Sequence, residues 1–270
     1  MIVYKYKVLT IRGMNIMKLL ASDFDGTLFF HSEKDDMRIR DLKAIRKFQD
    51  EGNLFGICTG RHLNGIIEPT RDRVNYDFYI VNSGAIILDK DKNIIQKNVI
   101  KTEVAKKVVD EVDSSVEVTF IIDNQFYAIN RKNNWPIKII EISSMDEINE
   151  DEIEGLAFHF KDIDETTKVY NDIIEKYNDI IDVYQNVNNL DFAPKGCSKG
   201  NALKMIMDYY KIDKDNMNCI GDSWNDLPMF KTIENSFTFT YSPVDVQKET
   251  KHVINNLEEC ISIILDTQPR

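Results

Sequence analysis

The sequence predicts an α/β protein in which a parallel sheet with crossover helices is interrupted by an inserted α+β module. Strand-like and helix-like segments alternate up to residue 85 and again from Cys197, which is the pattern of a parallel sheet. Between them, residues 86–186 contain strands and helices without regular alternation. At 270 residues the chain has room for about two domains. We therefore expect a discontinuous core, residues 1–85 and 187–270, with residues 86–186 inserted as a cap domain.

The core elements follow from short apolar runs and helical spacing. Residues 18–28, KLLASDFDGTL, run from an apolar strand into a turn rich in Asp and Gly. Residues 38–51 repeat apolar side chains at helical spacing and end just before Gly52. A helix is also expected after the second strand, and the remaining strands and helix are predicted at 53–58, 78–81, 201–210 and 217–220.

The inserted segment has its own signals. The stretches VEVTFII and QFYAIN predict a hairpin that turns at Asp123 and Asn124. Helix-period stretches lie at 102–112 and 164–178, and the apolar run 155–160 predicts a further strand. The aromatic residues of this segment, Phe126, Tyr127 and Trp135, either line a substrate pocket or pack in the structure.

Composition and charge exclude several classes of protein. Apolar residues make up 43% of the chain, enough for a buried core, and the net charge is −11. Most of the excess acidic residues lie in 86–186. Because binding to nucleic acid or anionic lipid needs clustered Lys and Arg, neither partner is expected. The oligomeric state cannot be inferred from the sequence.

The cysteines and the chain ends indicate a cytoplasmic protein. The four cysteines stand far apart without the spacing of a disulfide framework or a zinc site: Cys58, Cys197, Cys219 and Cys260. No apolar run is long enough to cross a bilayer. Residues 1–16 form either an extra strand or a stretch before a true start at Met14 or Met17.

Four short motifs follow the predicted strands or begin a helix. They are Asp23-Phe24-Asp25-Gly26-Thr27, Thr59-Gly60-Arg61, Lys199-Gly200 and Gly221-Asp222-Ser223-Trp224-Asn225-Asp226. In an open α/β sheet the carboxyl ends of the strands converge on one crevice, where ligands bind. The four motifs are therefore expected to form one site.

The residue types of these motifs suit phosphoryl transfer. The carboxylates of Asp23, Asp222 and Asp226 are hard oxygen ligands of the kind that Mg²⁺ prefers. Lys199 adds a positive charge, and with the metal it removes the repulsion between a carboxylate and a phosphate. A carboxylate can then act as nucleophile and form an aspartyl-phosphate. Asp25, two residues beyond Asp23, is placed to protonate the leaving oxygen and then activate water.

These motifs resemble those of the haloacid dehalogenase-like (HAD) superfamily, and more narrowly its Cof-type phosphatases, in order and spacing from Met17 onward. The resemblance implies a Rossmann-like core with an inserted cap, Asp23 as nucleophile and Asp25 as general acid/base. It also implies that Asp23, the backbone carbonyl of Asp25 and Asp222 hold Mg²⁺, and that Asp226 supports the metal or Lys199. The residues it assigns to the phosphoryl group are Thr59, Gly60, Lys199 and Asn225. Relatives often carry Asn where this chain has Ser83.

Several alternatives accompany this interpretation. An EF-hand loop starting at Asp23 would need Gly and Glu where the chain has Leu28 and Lys34. Arg61 either joins the site or only pairs with a structural carboxylate. The sequence favours a Mg²⁺-dependent phosphatase acting on a small phosphorylated metabolite, a sugar phosphate or a phosphorylated cofactor, through an aspartyl-phosphate. A phosphomutase of the same superfamily and a catalytically weak binding or regulatory module remain the alternatives.

Overall fold

The computed structural model describes residues 16–31, 35–133 and 137–267. Of residues 1–16, for which the sequence allowed an extra strand or a stretch before a later start, residues 1–15 lie outside these ranges, as does Trp135. Among the described residues, no helix has both the length and the apolar composition needed to cross a membrane.

An eight-stranded sheet forms the core of the fold, in the order β16-β15-β14-β1-β2-β3-β4-β5. Its strands are β1 (Leu19–Ser22), β2 (Leu54–Cys58), β3 (Phe78–Val81), β4 (Ile86–Asp89), β5 (Ile94–Lys97), β14 (Met217–Ile220), β15 (Asn235–Phe239) and β16 (His252–Ile254). Neighbouring strands are parallel from β16 to β3, whereas β4 and β5 are antiparallel additions at one edge. Strands β1 and β2 are buried on both faces, which explains why their sequences are continuous apolar runs.

Helices cover both faces of this sheet. They are α1 (Ile39–Asp50), α2 (Asn64–Thr70), α5 (Lys199–Tyr210), α6 (Leu227–Thr232), α7 (Val244–Lys248) and α8 (Leu257–Asp266). Helix α1 buries Ile45 and Phe48 and ends before Gly52, whose φ of +87° only glycine adopts freely. Residues of the two faces fall into separate buried clusters, one around Phe48 and Phe55 and one around Leu203.

A six-stranded sheet in the order β12-β13-β11-β7-β8-β9 forms the cap. Its strands are β7 (Glu117–Ile122), β8 (Gln125–Ile129), β9 (Ile139–Glu141), β11 (Gly155–His159), β12 (Ile181–Asn186) and β13 (Asn189–Pro194). One face packs on α3 (Thr102–Val109) and α4 (Ile163–Tyr177), and the short strands β6 (Ile100–Lys101) and β10 (Glu152–Ile153) pair beside it. The β7–β8 hairpin turns at Asp123 and Asn124, both with positive φ, as the sequence predicted.

The predicted α/β core with an inserted α+β cap is confirmed. Strand pairing, however, places the boundaries between core and cap at residues other than 86 and 186. Strands β4 and β5 fall within the predicted cap segment and pair in the core sheet. Strand β13 falls within the predicted core segment and pairs in the cap sheet. Apolar runs show that a segment is a strand, whereas its partner depends on long-range packing that residue types do not show.

Candidate active site

The four motifs meet at the carboxyl ends of three neighbouring strands. Strand β1 lies between β2 and β14, so the residues that follow these strands, Asp23, Thr59 and Asp222, share one edge of the sheet. The backbone N–H of Asp23 extends the sheet by donating to Ile220 O at 2.8 Å. Helix α5 begins at Lys199, and its N-cap Ser198 accepts a hydrogen bond from the N–H of Asn201.

Lys199 lies between two carboxylates. Its Nζ is 2.5 Å from Asp23 Oδ1 and 2.6 Å from Asp226 Oδ1, and its side chain is only 2% exposed. Burial lowers the pKa of Lys199, but the charges of Asp226 and Asp23 outweigh it and raise the pKa above its usual value. Lys199 therefore stays a cation, held against the residue predicted to be the nucleophile.

Asp23, Asp222 and Asp226 bring ligand atoms within 4.8 Å of one another. Asp222 Oδ1 accepts a hydrogen bond from Thr27 Oγ1 at 3.0 Å. A Cβ atom on Gly26, where φ is +74°, would lie 2.5 Å from Asp222 Oδ2, so glycine leaves room for that carboxylate. Burial and the charge of Asp226 raise the pKa of Asp222 to about 7. Burial and Asp226 also raise the pKa of Asp23, against the opposing charge of Lys199.

Asp226 is more fully engaged than the other two carboxylates. Its Oδ2 accepts hydrogen bonds from the backbone N–H groups of Asp222 and Ser223 at 2.9 and 3.1 Å, and its Oδ1 contacts Lys199. The carboxylate is fully buried, and a Cβ on Gly221 would come within 2.4 Å of it. Its contacts fix the 221–226 turn and the ammonium group of Lys199.

The donor set fits a divalent cation with hard oxygen ligands. Three carboxylates face one lysine, so the cluster carries excess negative charge when all three are ionised. Within the described ranges, neither Asp23 Oδ2 nor Asp222 Oδ2 accepts a hydrogen bond from the protein. The buried Oδ1 of Asn225 also lacks a donor. Oxygen atoms left open beside excess negative charge are what Mg²⁺ binding requires.

The carboxylate of Asp25 is paired with Arg61. The guanidinium donates to it twice, from Nε to Oδ2 at 2.7 Å and from Nη2 to Oδ1 at 2.6 Å. His31 Nε2 lies 3.0 Å from Asp25 Oδ1 and 2.6 Å from Arg61 Nη2. Burial alone would raise the pKa of Asp25, but the hydrogen bond with His31 and the charge of Arg61 hold it below its usual value. Arg61 thus contacts the residue predicted to be the general acid/base.

The second motif forms a tight turn beside β3. Thr59 is buried, and its Oγ1 accepts a hydrogen bond from the N–H of Arg61 at 3.1 Å. Its carbonyl accepts from the N–H of Ser83 at 3.0 Å. Ser83 has a φ of +54°, a left-handed conformation that is less strained for Gly or Asn than for most other residues. Gly60 lies under a cap residue, since a Cβ placed there would be 2.6 Å from Asp191 Oδ2.

Asp191, which the cap strand β13 places above the second motif, is not among the site residues predicted from the sequence. A signal was present, because residues 189–194 alternate: Leu190 and Phe192 are buried in the cap, and Asp191 between them faces the other way. Of the aromatic residues for which the sequence left pocket lining or packing open, Phe126 packs edge-on against His62, with ring centroids 5.4 Å apart. Tyr127 instead stacks on Phe120 against the cap core.

The fold and this site define a Rossmann-like α/β core with a carboxylate cluster under an α+β cap. The profile of the haloacid dehalogenase-like hydrolases matches residues 20–263, and the chain belongs to this family. The family and the enzyme class, a hydrolase, are therefore as the sequence predicted.

Similar proteins support this assignment. The 5-amino-6-(5-phospho-D-ribitylamino)uracil phosphatase YcsE of Bacillus subtilis is 26% identical, over 91% of this chain and 93% of its own length. A HAD/COF-like hydrolase structure from Plasmodium vivax superimposes with a TM-score of 0.79 at 19% identity, covering 93% of this chain and 96% of that one. The HAD subclass IIB sugar phosphatase BT4131 gives a TM-score of 0.76 at 19% identity, covering 90% and 95%. The two structures show that the fold is shared.

Proposed function

We propose that this chain is a Mg²⁺-dependent phosphatase that acts on a small phosphorylated metabolite through an aspartyl-phosphate on Asp23. The observation that carries the proposal is the position of Lys199, 2.5 Å from the Asp23 carboxylate and 2.6 Å from that of Asp226. A buried carboxylate repels a phosphate dianion unless positive charge is held beside it. Lys199 supplies one such charge at the carboxylate itself.

In the first step a carboxylate oxygen of Asp23 attacks phosphorus, and the bond from phosphorus to the leaving oxygen breaks. For this step Asp25 must leave its pair with Arg61 and take up a proton, because that pair keeps its carboxylate ionised. The proton then passes to the leaving oxygen, so that the leaving group departs as a neutral alcohol. In the second step Asp25 takes a proton from water, whose oxygen attacks phosphorus. The bond from phosphorus to Asp23 then breaks, which regenerates the carboxylate and releases inorganic phosphate.

The cation would be held by Asp23, Asp222 and the backbone carbonyl of Asp25. It would supply charge neutralisation between the carboxylates and the phosphoryl oxygens. Asp226 acts through Lys199 and the 221–226 turn, because both of its oxygens already accept hydrogen bonds. Asp226 is therefore a positioning residue in this proposal.

Thr59, Gly60, Asn225 and Lys199 would bind the phosphoryl group. Thr59 and Gly60 follow β2 directly beside Asp23, and Asn225 lies in the turn after β14. Donors fixed in this way lose little entropy when the charge of the phosphoryl group reaches them.

The names of the relatives support a hydroxylated leaving group. YcsE is named for a ribityl phosphate and BT4131 for sugar phosphates. Both classes are phosphate monoesters of polyhydroxylated molecules. The same class is the substrate proposed for this chain.

The test is hydrolysis of p-nitrophenyl phosphate by the purified protein with Mg²⁺ and after chelation. We expect activity that requires the metal and falls at least about 10³-fold in Asp23→Asn. Asp172→Asn, the same change at an exposed position of the cap helix α4, is the matched control and should behave as wild type. Full activity after chelation or in Asp23→Asn would contradict the proposal. Transfer of phosphate to a second sugar position, without release, would indicate a phosphomutase.

A further inference from the structure

The cap sheet has one apolar face and one face of mixed composition that carries the acidic residues of its strands, here called the polar face. The side chains of Val118, Phe158 and Phe192 lie on the face that packs against α3 and α4. The opposite face is turned toward the core. On that face Phe126 contacts His62, and Tyr184 Oη donates to the carbonyl of Cys197 at 2.5 Å. The polar face therefore forms the roof above the ends of the core strands.

Asp191 is the roof residue above the second motif. A Cβ on Gly60 would lie 2.6 Å from Asp191 Oδ2 and 3.4 Å from Ser83 Oγ, so the carboxylate stands directly over the Thr59-Gly60 turn. Within the part of the chain that the structure describes, no hydrogen bond to this carboxylate is present. Burial raises the pKa of Asp191 to about 6, against the charge of Lys199, so the group is mainly ionised at neutral pH.

The residues beside Asp191 leave space and add neutral polar groups. Ala157 pairs with Asp191 across the sheet, and Thr119 pairs with Ala157 on its other side. His159 lies next to this row, with Nε2 2.8 Å from Thr119 Oγ1 and Nδ1 2.7 Å from Asn189 Oδ1. Burial lowers the pKa of His159, so the ring is neutral at physiological pH.

The charged residues of this roof are acidic. Strand register places Glu117, Glu141, Asp182 and Asp191 on the roof face. No lysine or arginine occupies that face in the six described strands. Glu141 and Asp182 pair with Arg131 and Lys195 of the adjoining loops, whereas Asp191 makes no ion pair among the described residues. A second anionic group placed beside Asp191 would therefore meet a carboxylate that has no ion-pair partner.

We propose that Asp191 is a specificity-determining residue that accepts hydrogen bonds from hydroxyl groups of the leaving group and excludes substrates with a second anionic group. The inference rests on the proposed phosphatase function. Hydroxyl groups satisfy a carboxylate that lacks other donors, and a phosphate or carboxylate in their place is repelled at short range. The substrate class is therefore an uncharged polyol carrying one phosphate.

The test compares pairs of substrates that differ by one carboxylate: glucose 6-phosphate with 6-phosphogluconate, and glycerol 3-phosphate with 3-phosphoglycerate. The wild type should favour the uncharged member of a pair in kcat/KM. In Asp191→Asn this preference should fall about tenfold, with a rise in KM for the uncharged substrate, because the amide no longer repels an anion. Asp172→Asn should keep the wild-type preference.

The outcomes separate the two proposals. A wild type that hydrolyses neither p-nitrophenyl phosphate nor any of the four metabolites contradicts the phosphatase function itself. A wild type that hydrolyses p-nitrophenyl phosphate but prefers the anionic member of each pair, or takes neither uncharged substrate, contradicts the role of Asp191 alone. An unchanged preference for the uncharged substrate in Asp191→Asn would also contradict the role of Asp191 alone. Asp191→Ser is the second variant, and circular dichroism checks that each variant is folded.

Discussion

Lys199 contacts Asp23 and Asp226 at once, with its Nζ 2.5 Å and 2.6 Å from their Oδ1 atoms, although the two aspartates follow different strands. All three side chains are almost fully buried. A buried carboxylate that loses its only cationic partner is costly to the fold. Lys199 therefore links the stability of the core to the proposed chemistry.

Replacing Lys199 with Met should lower both activity and stability. The variant leaves three carboxylates without a fixed cation, so we expect at least a 10²-fold loss of phosphatase activity. The free energy of unfolding should fall by about 3–5 kcal/mol, as on breaking a buried ion pair. Urea denaturation at pH 7.5 without metal measures this fall in the free energy of unfolding. Lys195→Met, which removes an exposed contact with Asp182, should cost less than about 1 kcal/mol; equal losses in the two variants would argue against the buried cluster.

The stability of the metal-free protein should depend on Asp222. Its pKa is raised to about 7 in the fold, so the protonated form is favoured there, and its contribution is present at low pH and is lost as pH rises from about 4 to 7. Asp222→Asn removes this contribution. The free energy of unfolding of the wild type should therefore fall relative to the variant over that range, by at most about 1.4 kcal/mol per pH unit.

Mg²⁺ should offset this loss of stability in the wild type, because the cation binds the ionised carboxylate. The stabilisation by Mg²⁺ should therefore grow from pH 5 to pH 8. Thermal unfolding with and without Mg²⁺ at several pH values measures this stabilisation as a shift in Tm. A Mg²⁺-induced shift in Tm that is the same at pH 5 and pH 8, or the same in Asp222→Asn, would contradict the assignment of Asp222 as a ligand.

Removing Arg61 should move the pH profile of the reaction to higher pH. Arg61 and His31 hold the pKa of Asp25 below its usual value, so Arg61→Gln raises that pKa. Whichever step limits the rate, the limb of the profile that reports Asp25 should move up by about one pH unit. Arg73→Gln breaks the exposed pair with Asp36 and should leave the profile in place. A profile of Arg61→Gln that coincides with the wild type would show that Arg61 has only a structural role.

Val187→Gly should stabilise the cap. Val187 is the first residue of the two-residue β12–β13 loop and has a φ of +52°, where a β-branched side chain is strained and where type II′ hairpins carry glycine. Half of the side chain is exposed, so little packing is lost. We expect a gain of about 0.5–1 kcal/mol in urea denaturation. Val253→Gly, at a similarly exposed position in β16, should lower stability instead; a loss in both variants would mean that the turn is unstrained.

The convergence of Asp23, Thr59 and Asp222 could be predicted from the sequence because it follows from the geometry of parallel strands alone. Each residue comes directly after an apolar run, and the carboxyl ends of such strands share one edge. The pairing of Arg61 with Asp25 could not be predicted, since it depends on side-chain direction at the end of two loops. For this reason the sequence did not decide whether Arg61 joins the site or only pairs with a structural carboxylate.

The cap residues were harder to place for a different reason. The alternation around Asp191 shows that it faces away from Leu190 and Phe192, but not what lies opposite. That depends on how the cap sheet sits on the core, which is set by contacts such as those of Phe126 with His62. The position of Asp191 above Gly60 emerges only when both domains are assembled.

The central place of β1 in the core sheet has a consequence for synthesis of the chain. On one side β1 pairs with β2, which leaves the ribosome soon after it, but its other partner is Met217–Ile220, made after the entire cap. Every pairing of the cap sheet joins strands within 117–194, so the cap can fold first. One edge of β1, the strand before Asp23, thus stays unpaired until Met217–Ile220 has been made, and Asp23 meets Lys199 and Asp226 only when the last quarter of the chain has emerged.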